Sequence, residues 1–561
     1  MASLLTRPAK RTFLLAGTGL ALWATDHYTN GASIERSLRT LYTGLLITAD
    51  FKLNFNPSQV ESIDDLHTRV AQRILNVCRR NGGLYIKLGQ QIASVPVLPK
   101  QYSQALHELY DSAPVVPYKA VERIFQEEFG CLPSDIFMTF SRIPAASASI
   151  AQVHHATLLD GTPVAVKIQK PDIARQIGWD MACYKTLTLA FEWVFDLPLS
   201  WSADYIEKHL RQETDFINEG RNSERAAQAI LQVPDLRSRV YVPKVYWHLT
   251  SRRILTCEWI DGVGFNNVGE MTRQGFSLHD AMAALVDVFA DQIFRVGFVH
   301  CDPHPGNVIV RMDRSNPLWP RQQVVLLDHG LYVECTDEFR HDYALFWKSL
   351  FSLDSHTLER ITRGWGIHDV QLFASATLQR PWKYGQAVHS HSHQPFADMY
   401  EAQVAAKSRL KHFLKNTEML PKELIFIGRN LNCVRANNKG LGSPVNRINR
   451  MAQCAVSSLG KESLVWRDSA LTQTTGDGVD RVSLAQWSVW VFRTQMHYWT
   501  FHTTLFLSTV GFWVAYSLQR VRLFLGGPRS GGFEAVMDAA MKQRLQDEIP
   551  GLVLDENVFD G

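Results

Sequence analysis

Hydrophobic and polar positions alternate most clearly in the middle of the chain. Residues 163–169 carry an apolar side chain at every second position, and residues 152–158 also have the composition of a strand. Asp160-Gly161 lies between these two segments, and this dipeptide favours a tight hairpin turn. A fully apolar run, residues 324–327, predicts a buried strand that ends at Asp328. The pattern therefore predicts a β-hairpin and, further along, a buried strand with a carboxylate at its exit.

The two ends of the chain have long apolar runs of a different kind. Residues 12–24 follow a basic start without acidic residues, so residues 1–30 are predicted to be a mitochondrial presequence leading into a short membrane anchor. A secretory signal is the alternative. No charged residue interrupts residues 494–519, and aromatic residues at both ends of this run suit two membrane–water interfaces. Residues 484–525 are thus either a second membrane segment or a helix docked on the protein.

Composition describes a globular protein and excludes some classes of function. Hydrophobic residues make up 46% of the 561 residues and charged residues 20%, which is typical of a chain with a substantial core. The net charge of +3, from 58 basic and 55 acidic side chains, gives no argument for nucleic-acid binding, which usually requires a clustered basic face. The eight cysteines are scattered without a C-x-x-C pair, so reduced thiols are expected rather than disulfides or a zinc site.

Three short motifs along the chain carry candidate chemistry. Lys167 lies on the second strand of the predicted hairpin, where protein kinases place the lysine that holds the α- and β-phosphates of ATP. Asp302 and Asn307 have the spacing of the kinase catalytic loop, in which the aspartate orients the nucleophile and the asparagine holds a metal ion. Asp328, followed two positions later by glycine, matches the metal-binding D-x-G motif. In this order, the motifs predict an α+β, two-lobed kinase-like fold that binds ATP and Mg²⁺.

The phosphate-binding lysine of a kinase needs an acidic partner on a helix. The segment after His209 offers Glu213, Asp215 and Glu219. Glu213 and Glu219 are six positions apart and do not share one helical row, which indicates two distinct roles. The hinge between the lobes is expected at residues 255–260, and Glu258 within it is a candidate nucleotide-binding residue.

Two features depart from ordinary protein kinases. The glycine-rich phosphate loop is replaced by alanine and serine, namely Ala145, Ala146, Ser147, Ala148 and Ser149. Alanine restricts the backbone more than glycine, so nucleotide handling should differ. A helix capped by Thr336 is predicted shortly after Asp328, which leaves little room for an activation loop or a peptide-docking platform. Ordinary protein phosphorylation is therefore disfavoured.

These features resemble the UbiB family of atypical kinases, also called AarF-domain kinases, and especially its mitochondrial members. The resemblance rests on residues 87–90 (the family's K-x-G-Q), on the alanine-rich loop and on residues 213–215 (its E-x-D). Lys167 and residues 300–307 and 328–330 complete a match over about residues 60–455. The sequence D-H-G at 328–330, where general kinases have D-F-G, resembles one branch of the family.

The resemblance implies a role for each matched residue. Lys87 and Gln90 would enter the active site from an N-terminal helical extension, with Lys87 meeting the Glu213 and Asp215 acids and blocking the usual protein-substrate groove. Glu219 would be the partner of Lys167. The expected site then has the catalytic residues Asp302, Lys167 and Lys87, the metal ligands Asn307 and Asp328, the regulatory residues Lys87, Gln90, Glu213 and Asp215, and the nucleotide-binding residues Ala146, Ser147, Ala148, Ser149, Lys167, Glu219 and Glu258.

Three functions compete. The first is an ATPase or small-molecule kinase, which the resemblance links to coenzyme Q biosynthesis or distribution and to mitochondrial lipid homeostasis. The second is a nucleotide-switched protein that binds an isoprenoid or quinone-like lipid or a phospholipid membrane. The third, a protein kinase acting in trans, is the weakest, because no activation segment is recognisable. The expected location is the mitochondrial inner membrane, with the kinase-like domain facing the intermembrane space.

The predicted organisation has six parts. They are the membrane-associated start (1–30), a helical extension with the K-x-G-Q motif (58–130), an N-lobe (131–257), a C-lobe (258–460), the possible second membrane segment (484–525) and a tail (526–561). The histidine-rich run at 389–393 is interpreted as a loop rather than a metal site, and His304 as a structural residue of the catalytic loop.

Overall fold

A computed structural model describes most of the chain. The described residues are 21, 23–27, 29, 31–55, 60–93, 99–109, 115–195, 201–314, 318, 320–367, 369–380, 382, 421–460, 484–525 and 532–548. Most of the predicted presequence and the histidine-rich run at 389–393 lie outside this set.

Within residues 33–106 as far as they are described, four α-helices precede the kinase-like lobes and form a helical layer. They are α1 (Ser33–Asn54), α2 (Val60–Asn81), α3 (Leu84–Ala93) and α4 (Lys100–Leu106). Helix α2 packs against the other three, and Leu66, Val70 and Leu75 on its inner face are buried. The K-x-G-Q motif lies on α3.

The N-lobe is an antiparallel sheet covered by helices. Its elements are α5 (Tyr118–Phe129), α6 (Pro133–Ile136), β1 (Thr139–Phe140), β2 (Ala146–Ser147), β3 (Ala151–Thr157), β4 (Pro163–Gln169), α7 (Ile173–Phe195), α8 (Trp201–Glu213), α9 (Phe216–Leu231) and β6 (Ile254–Glu258). Strand β5 (Val240–Tyr241) precedes β6 in sequence but pairs in parallel with a strand of the C-lobe sheet. The strand order is β1-β3-β4-β6, with β2 paired to β3. Gly161 turns the β3–β4 hairpin with a φ of 87°, a conformation that glycine adopts without strain. This confirms the predicted hairpin.

The C-lobe is mainly helical and contains the catalytic loop. Its elements are β7 (Val263–Gly264), α10 (Val268–Arg273), α11 (Leu278–Asp291), β8 (Phe298–His300), β9 (Val308–Asp313), β10 (Arg321–Leu326), β11 (Tyr332–Glu334), α12 (Asp337–Ser352), α13 (Ser355–Gly364), α14 (Val370–Leu378), α15 (Glu423–Gly440) and α16 (Arg447–Ser458). Thr336 caps α12 by accepting the Phe339 amide, as predicted. The largest hydrophobic core of the described residues lies between these elements.

Two further helices, α17 (Leu484–Phe524) and α18 (Gly532–Glu548), pack on the C-lobe. Helix α17 buries Phe501, Leu505 and Phe512. Large apolar side chains on its other side, Trp499, Phe506, Leu507, Trp513 and Leu518 among them, are exposed. Within the described ranges, no helix has both the length and the apolarity needed to cross a bilayer.

Candidate functional site

Lys167 is the centre of an ion-paired cluster between the lobes. Its ammonium group donates to Oε1 of Glu219 at 2.6 Å and to Oδ2 of Asp328 at 2.8 Å. Strand β4 holds the lysine between Val153 of β3 and Leu255 of β6, so its backbone is fixed on both sides. The structure therefore brings together the predicted phosphate-binding lysine, its predicted acidic partner and the predicted metal ligand.

Glu219 reaches Lys167 because the acidic segment is divided into two helices. Helix α8 ends at Glu213, and Asp215 caps α9 by accepting the Ile217 amide at 3.1 Å. This break places Glu219 in the first turn of α9, where it is buried. Asp215 thus has a capping contact, whereas Glu213, at the end of the preceding helix, contacts Lys87 at 2.6 Å.

The charges of this cluster stabilise one another. Burial opposes the charged form of Lys167, but the carboxylates of Asp328 and Glu219 outweigh it and raise the pKa of the lysine. Burial likewise opposes ionisation of Asp328, yet Lys167 and the Gly330 amide hold its pKa far below the usual range. For Glu219, burial prevails and raises the pKa to about 7. Asp328 is 35% exposed at its side chain, so its charged carboxylate can be reached from the cleft.

The catalytic loop is held in place by His300. Its Nδ1 accepts the Asp302 amide at 2.9 Å, and its Nε2 donates to the carbonyl oxygen of Asp328 at 2.7 Å. This pattern requires a neutral ring, and burial lowers the pKa of His300 accordingly. The side-chain Nδ2 of Asn307 donates to the backbone carbonyl oxygen of Asp302 at 3.3 Å, which connects the two ends of the loop. His304 accepts the Gly306 amide, the structural role expected for it.

Asp302 is paired with two cations, one of which the sequence did not indicate. Its Oδ2 lies 2.9 Å from Nη2 of Arg429 and 3.5 Å from Nζ of Lys87. Burial opposes its ionisation, but Arg429 and Lys87 outweigh this and hold the pKa of Asp302 well below the usual range. Arg429 lies on α15, whose Asn430 and Asn437 also donate to the carbonyl oxygens of His300 and Pro303. Helix α15 is thus the support of the catalytic loop.

The K-x-G-Q motif has a separate physical reason for each of its residues. Lys87 extends from α3 to Glu213 and Asp302. A Cβ atom on Gly89 would lie 2.3 Å from Cδ1 of Leu109 and 3.0 Å from Sγ of Cys78, so close packing requires glycine. Gln90 donates to the carbonyl oxygen of Leu109 at 3.0 Å. Gly89 and Gln90 therefore fix α3 against the chain that follows α4, and Lys87 contacts the site residues.

The alanine-rich loop is a compact turn next to Lys167. Ala146 and Ser147 pair with β3, and the Ala148 amide donates to the carbonyl oxygen of Ala151 at 2.8 Å. Lys170 donates from below to the carbonyl oxygen of Ala148, and burial lowers the pKa of this lysine to about 8. Ser149 is buried. The loop is therefore fixed to β3 and to Lys170, the residue that follows β4, and phosphate binding by Ala146, Ser147, Ala148 and Ser149 stays a prediction.

Glu258 and His329 both have partners within the protein. Glu258, at the end of β6, accepts the Tyr241 hydroxyl at 2.6 Å, which joins the hinge to β5. The ring of His329 contacts the Tyr332 hydroxyl at 2.8 Å and the carbonyl oxygen of Leu326 at 3.1 Å. Burial lowers the pKa of His329 to about 3, so it acts as a neutral packing residue. A nucleotide contact through Glu258 stays a prediction.

The donor set at the cleft fits magnesium brought in with a nucleotide. In the described part of the chain, no three His, Cys, Asp or Glu side chains converge to hold a metal unaided. Mg²⁺ in phosphoryl-transfer sites is held by one or two carboxylates together with substrate phosphates and water. Asp328, accessible and charged, and the half-buried Asn307 supply the protein's part of such a site.

The two lobes, the paired lysine and the catalytic loop define a kinase-like protein. Residues 108–362 match the family model of the ABC1 atypical kinase-like domain. An ABC1 family protein of Schizosaccharomyces pombe is 38% identical over 80% of this chain and 83% of its own length. The AarF domain-containing protein kinase 1 of Xenopus tropicalis is 30% identical over 91% of this chain and 97% of its own. The chain belongs to the ABC1, or AarF-domain, family, and the resemblance to UbiB proteins is confirmed.

Proposed function

We propose that this protein binds Mg-ATP between its lobes and acts as an atypical kinase or ATPase. The observation that carries the proposal is the set of contacts that joins Lys167 to Glu219 and Asp328 beside the loop of Asp302 and Asn307. An active kinase requires the strand lysine paired with a helix carboxylate and the D-x-G aspartate placed to hold Mg²⁺ beside them. The family alone does not require turnover, so the proposal rests on this geometry.

Each residue has a role in such a reaction. Lys167 would bind the α- and β-phosphates, and Glu219 would hold the lysine in position. Asp328 and Asn307 would hold Mg²⁺, which, when bound, neutralises charge on the β- and γ-phosphates. Asp302 would orient the nucleophile, which is water or a small acceptor. Catalysis would come from positioning and charge stabilisation rather than from covalent chemistry with the protein.

Lys87 favours a small acceptor over a protein substrate. It lies between Glu213 and Asp302 and occupies the side of the cleft next to the catalytic aspartate. With Arg429 on the same carboxylate, Asp302 is held by two cations at the position where an acceptor would be oriented. This restriction also favours a second candidate, a protein in which nucleotide binding switches lipid binding with little turnover.

We further propose that the activity supports coenzyme Q biosynthesis or distribution and lipid homeostasis at the mitochondrial inner membrane. The K-x-G-Q motif supports the family assignment on which this rests, and the exposed apolar side of α17 is suited to lipid. Protease protection of intact and swollen mitochondria tests the location. Cleavage of the kinase-like domain once the outer membrane is opened agrees with an intermembrane-space domain, and protection until the matrix is exposed contradicts it.

ATP hydrolysis distinguishes the two candidate functions. The full chain is assayed with Mg²⁺, with and without anionic vesicles that carry a quinone-like lipid, beside Asp328→Asn and Lys87→Ala. Turnover that lipid stimulates and Asp328→Asn removes supports the ATPase. Magnesium-dependent binding without turnover supports the nucleotide-switched protein. Asp337→Asn is the matched control, because Asp337 lies nine residues further on with a side chain that is 93% exposed.

A further inference from the structure

Helix α1 has its polar and apolar faces reversed relative to a helix on the surface of a soluble domain. Its buried residues are Ser33, Arg36, Thr40, Gly44, Ile47 and Asp50, which are mostly polar or small. The exposed positions at one-turn spacing are Ile34, Leu38, Tyr42, Leu45 and Leu53, and several are more than 60% exposed. Amphipathic helices of soluble domains normally turn their apolar stripe to the core. The outward stripe of α1 therefore needs another explanation.

The buried side chains of Arg36, Thr40 and Asp50 on α1 are all paired, which fixes the helix in this orientation. Arg36 forms a buried ion pair with Asp180 of α7 at 2.6 Å. The Thr40 hydroxyl bonds to the Tyr85 hydroxyl of α3 at 2.9 Å. Asp50 pairs with Arg69 at 2.9 Å and with Arg73 on α2. Rotating α1 to bury its apolar stripe would break all of these contacts. Asp180 would then be left buried without its partner Arg36.

Helix α7 lies beside α1 and widens the apolar stripe. Gly31 contacts Gln176, Gly44 contacts Leu187 and Lys52 contacts Val194, so the two helices run side by side in the same direction. Leu189 is therefore level with Leu45 and Leu46, and Trp193 is level with the segment of α1 between Leu46 and Leu53. Leu189 is 58% exposed and Trp193 is 87% exposed. We call the exposed side chains of Ile34, Leu38, Tyr42, Leu45, Leu46, Leu53, Leu189 and Trp193 the α1–α7 face.

We propose that the α1–α7 face docks into the interfacial region of a lipid bilayer. Between residues 38 and 49, all of them described, the exposed positions of α1 carry no charge, and the exposed charged side chains of Glu35 and Lys52 lie towards the two ends of the stripe. A helix that lies in the membrane interface places an uncharged apolar stripe in the acyl region and keeps charged side chains at the margins of the stripe, which is the arrangement of α1. Tyr42 and Trp193 are of the aromatic types that prefer the membrane–water interface. The polar contacts described above fix α1 to α7, α3 and α2, so the apolar stripe stays on the outside of the protein.

The position of the face in the chain agrees with lipid as its occupant. The apolar, acid-free sequence of residues 12–24 ends ten residues before Ile34. The stripe from Ile34 to Leu53 covers 19 residue steps, or about 28 Å of helix, which is long enough for a broad contact with a membrane surface. The proposal that lipid covers this face rests on the membrane association proposed above. The α1–α7 face shares no residues with α17 or with the nucleotide site.

A local probe tests this face in the full chain. Leu45→Cys and Trp193→Cys are labelled with a polarity-sensitive fluorophore and mixed with vesicles of phosphatidylcholine and cardiolipin. Ile143→Cys, 80% exposed on the N-lobe, is the matched control, and the unsubstituted chain gives the background of the native thiols. We expect a blue shift and quenching by nitroxide-labelled acyl chains at Leu45 and Trp193, and neither at Ile143. Adding Leu38→Glu should remove the response at Leu45, with nucleotide binding and thermal unfolding unchanged.

A label at Trp513 of α17 separates this inference from the broader proposal. If the Trp513 label enters lipid while those at Leu45 and Trp193 stay in water, the α1–α7 face is not a docking surface, although membrane association survives. If none of the three labels responds to vesicles, both the docking of the α1–α7 face and the membrane association proposed above are wrong. Labels on the α1–α7 face that are shielded without vesicles would also overturn the inference, because another segment or a second copy of the chain would then cover the face.

Discussion

At the scale of single residues, the carboxylate of Asp302 is held by two cations from distant parts of the chain. Lys87 comes from the helical layer and Arg429 from α15, and both approach the same oxygen. Lys87 is also paired with Glu213, whereas Arg429 makes the shorter contact with Asp302. Arg429 is therefore the residue we expect to fix the direction of the catalytic carboxylate.

Arg429→Ala should reduce turnover without a matching loss of nucleotide binding. The variant leaves Lys167, Asn307 and Asp328 in place but removes the closer support of Asp302. Misplacing a catalytic group can reduce the rate up to about 100-fold. Steady-state hydrolysis beside a nucleotide-binding titration measures both quantities. Arg429→Lys should restore part of the turnover, and equal losses of binding and turnover in Arg429→Ala would contradict this role.

His154, on β3, should make the stability of the protein sensitive to mild acid. Its ring is fully buried between the carbonyl oxygen of Ser141, 2.7 Å from Nδ1, and the side chain of Gln152, 2.8 Å from Nε2. Burial lowers the pKa of His154, so below pH 6.5 the unfolded chain binds a proton that the folded chain excludes. The free energy of unfolding should then fall by at most about 1.4 kcal/mol per pH unit from this residue.

Urea unfolding at pH 7.5 and 5.5 measures this contribution. His154→Gln can still donate to Ser141 and should show a smaller loss between the two pH values. His155→Gln, the neighbour on the other side of the strand, should keep the pH dependence of the unsubstituted chain. An unchanged pH dependence in His154→Gln would show that the folded state accommodates the proton.

Single residues also show how far the sequence determines the site. Local backbone geometry positions most of the predicted site. A strand positions Lys167, a short loop positions Asp302 and Asn307, and the end of a buried strand positions Asp328. Arg429 contacts Asp302 across 127 positions of sequence. The direction of the Arg429 side chain depends on how α15 packs against the catalytic loop. In the sequence, the only indication of a role for Arg429 is that it lies among apolar residues. Asp215 was expected near Lys87, but its capping bond to α9 is the contact found.

At the scale of elements, α15 joins the catalytic loop to the end of the chain. Arg429, Asn430 and Asn437 contact the loop, as described above. Elsewhere on the same helix, Arg435 pairs with Asp538 of α18 at 2.7 Å, and Asn438 donates to Glu534 at 3.0 Å. Glu534 also forms a buried ion pair with Arg447 of α16 at 2.8 Å. Helix α18, whose role the sequence did not reveal, is therefore part of the C-lobe.

Glu534→Ala should destabilise the protein strongly. The side chains of Arg447 and Glu534 are 0% and 2% exposed, so the variant leaves an uncompensated buried arginine. Removing one partner of such a pair costs about 3–5 kcal/mol. Glu334→Ala is the control, because its pair with Arg225 is exposed on both sides and should contribute no more than about 1 kcal/mol. Denaturant unfolding compares the two, and equal effects would contradict a packed α18.

Elements also show where periodicity misleads. The β3–β4 hairpin follows its alternating pattern because one side of the sheet faces the core. Helix α1 shows a clear pattern too, but its apolar stripe is exposed and its polar residues are buried. Periodicity predicts a helix with one apolar and one polar face. Which face is buried depends on the elements that pack against the helix and on whether it contacts water or lipid. The same ambiguity left α17 open between a membrane segment and a docked helix.

At the scale of the whole molecule, three parts converge on one cleft. The N-lobe supplies Lys167 and Glu219, the C-lobe supplies Asp302, Asn307 and Asp328, and the helical layer adds Lys87. Helix α1 of the α1–α7 face belongs to the same helical layer as Lys87, and Arg36 and Thr40 connect it to α7 of the N-lobe and to α3. A surface proposed to meet lipid is thus joined through packed helices to a residue at the catalytic aspartate.

The measurement that tests the central claim most directly is a titration of the full chain with ATP, with and without Mg²⁺, by calorimetry. We predict binding that requires Mg²⁺ and that Asp328→Asn weakens by at least about tenfold, because loss of a residue that only positions a metal ligand already costs this much and Asp328 is itself a predicted ligand. Asp337→Asn should bind like the unsubstituted chain. Binding that is indifferent to both Mg²⁺ and Asp328→Asn would contradict a kinase-like nucleotide site centred on Lys167, Glu219 and Asp328.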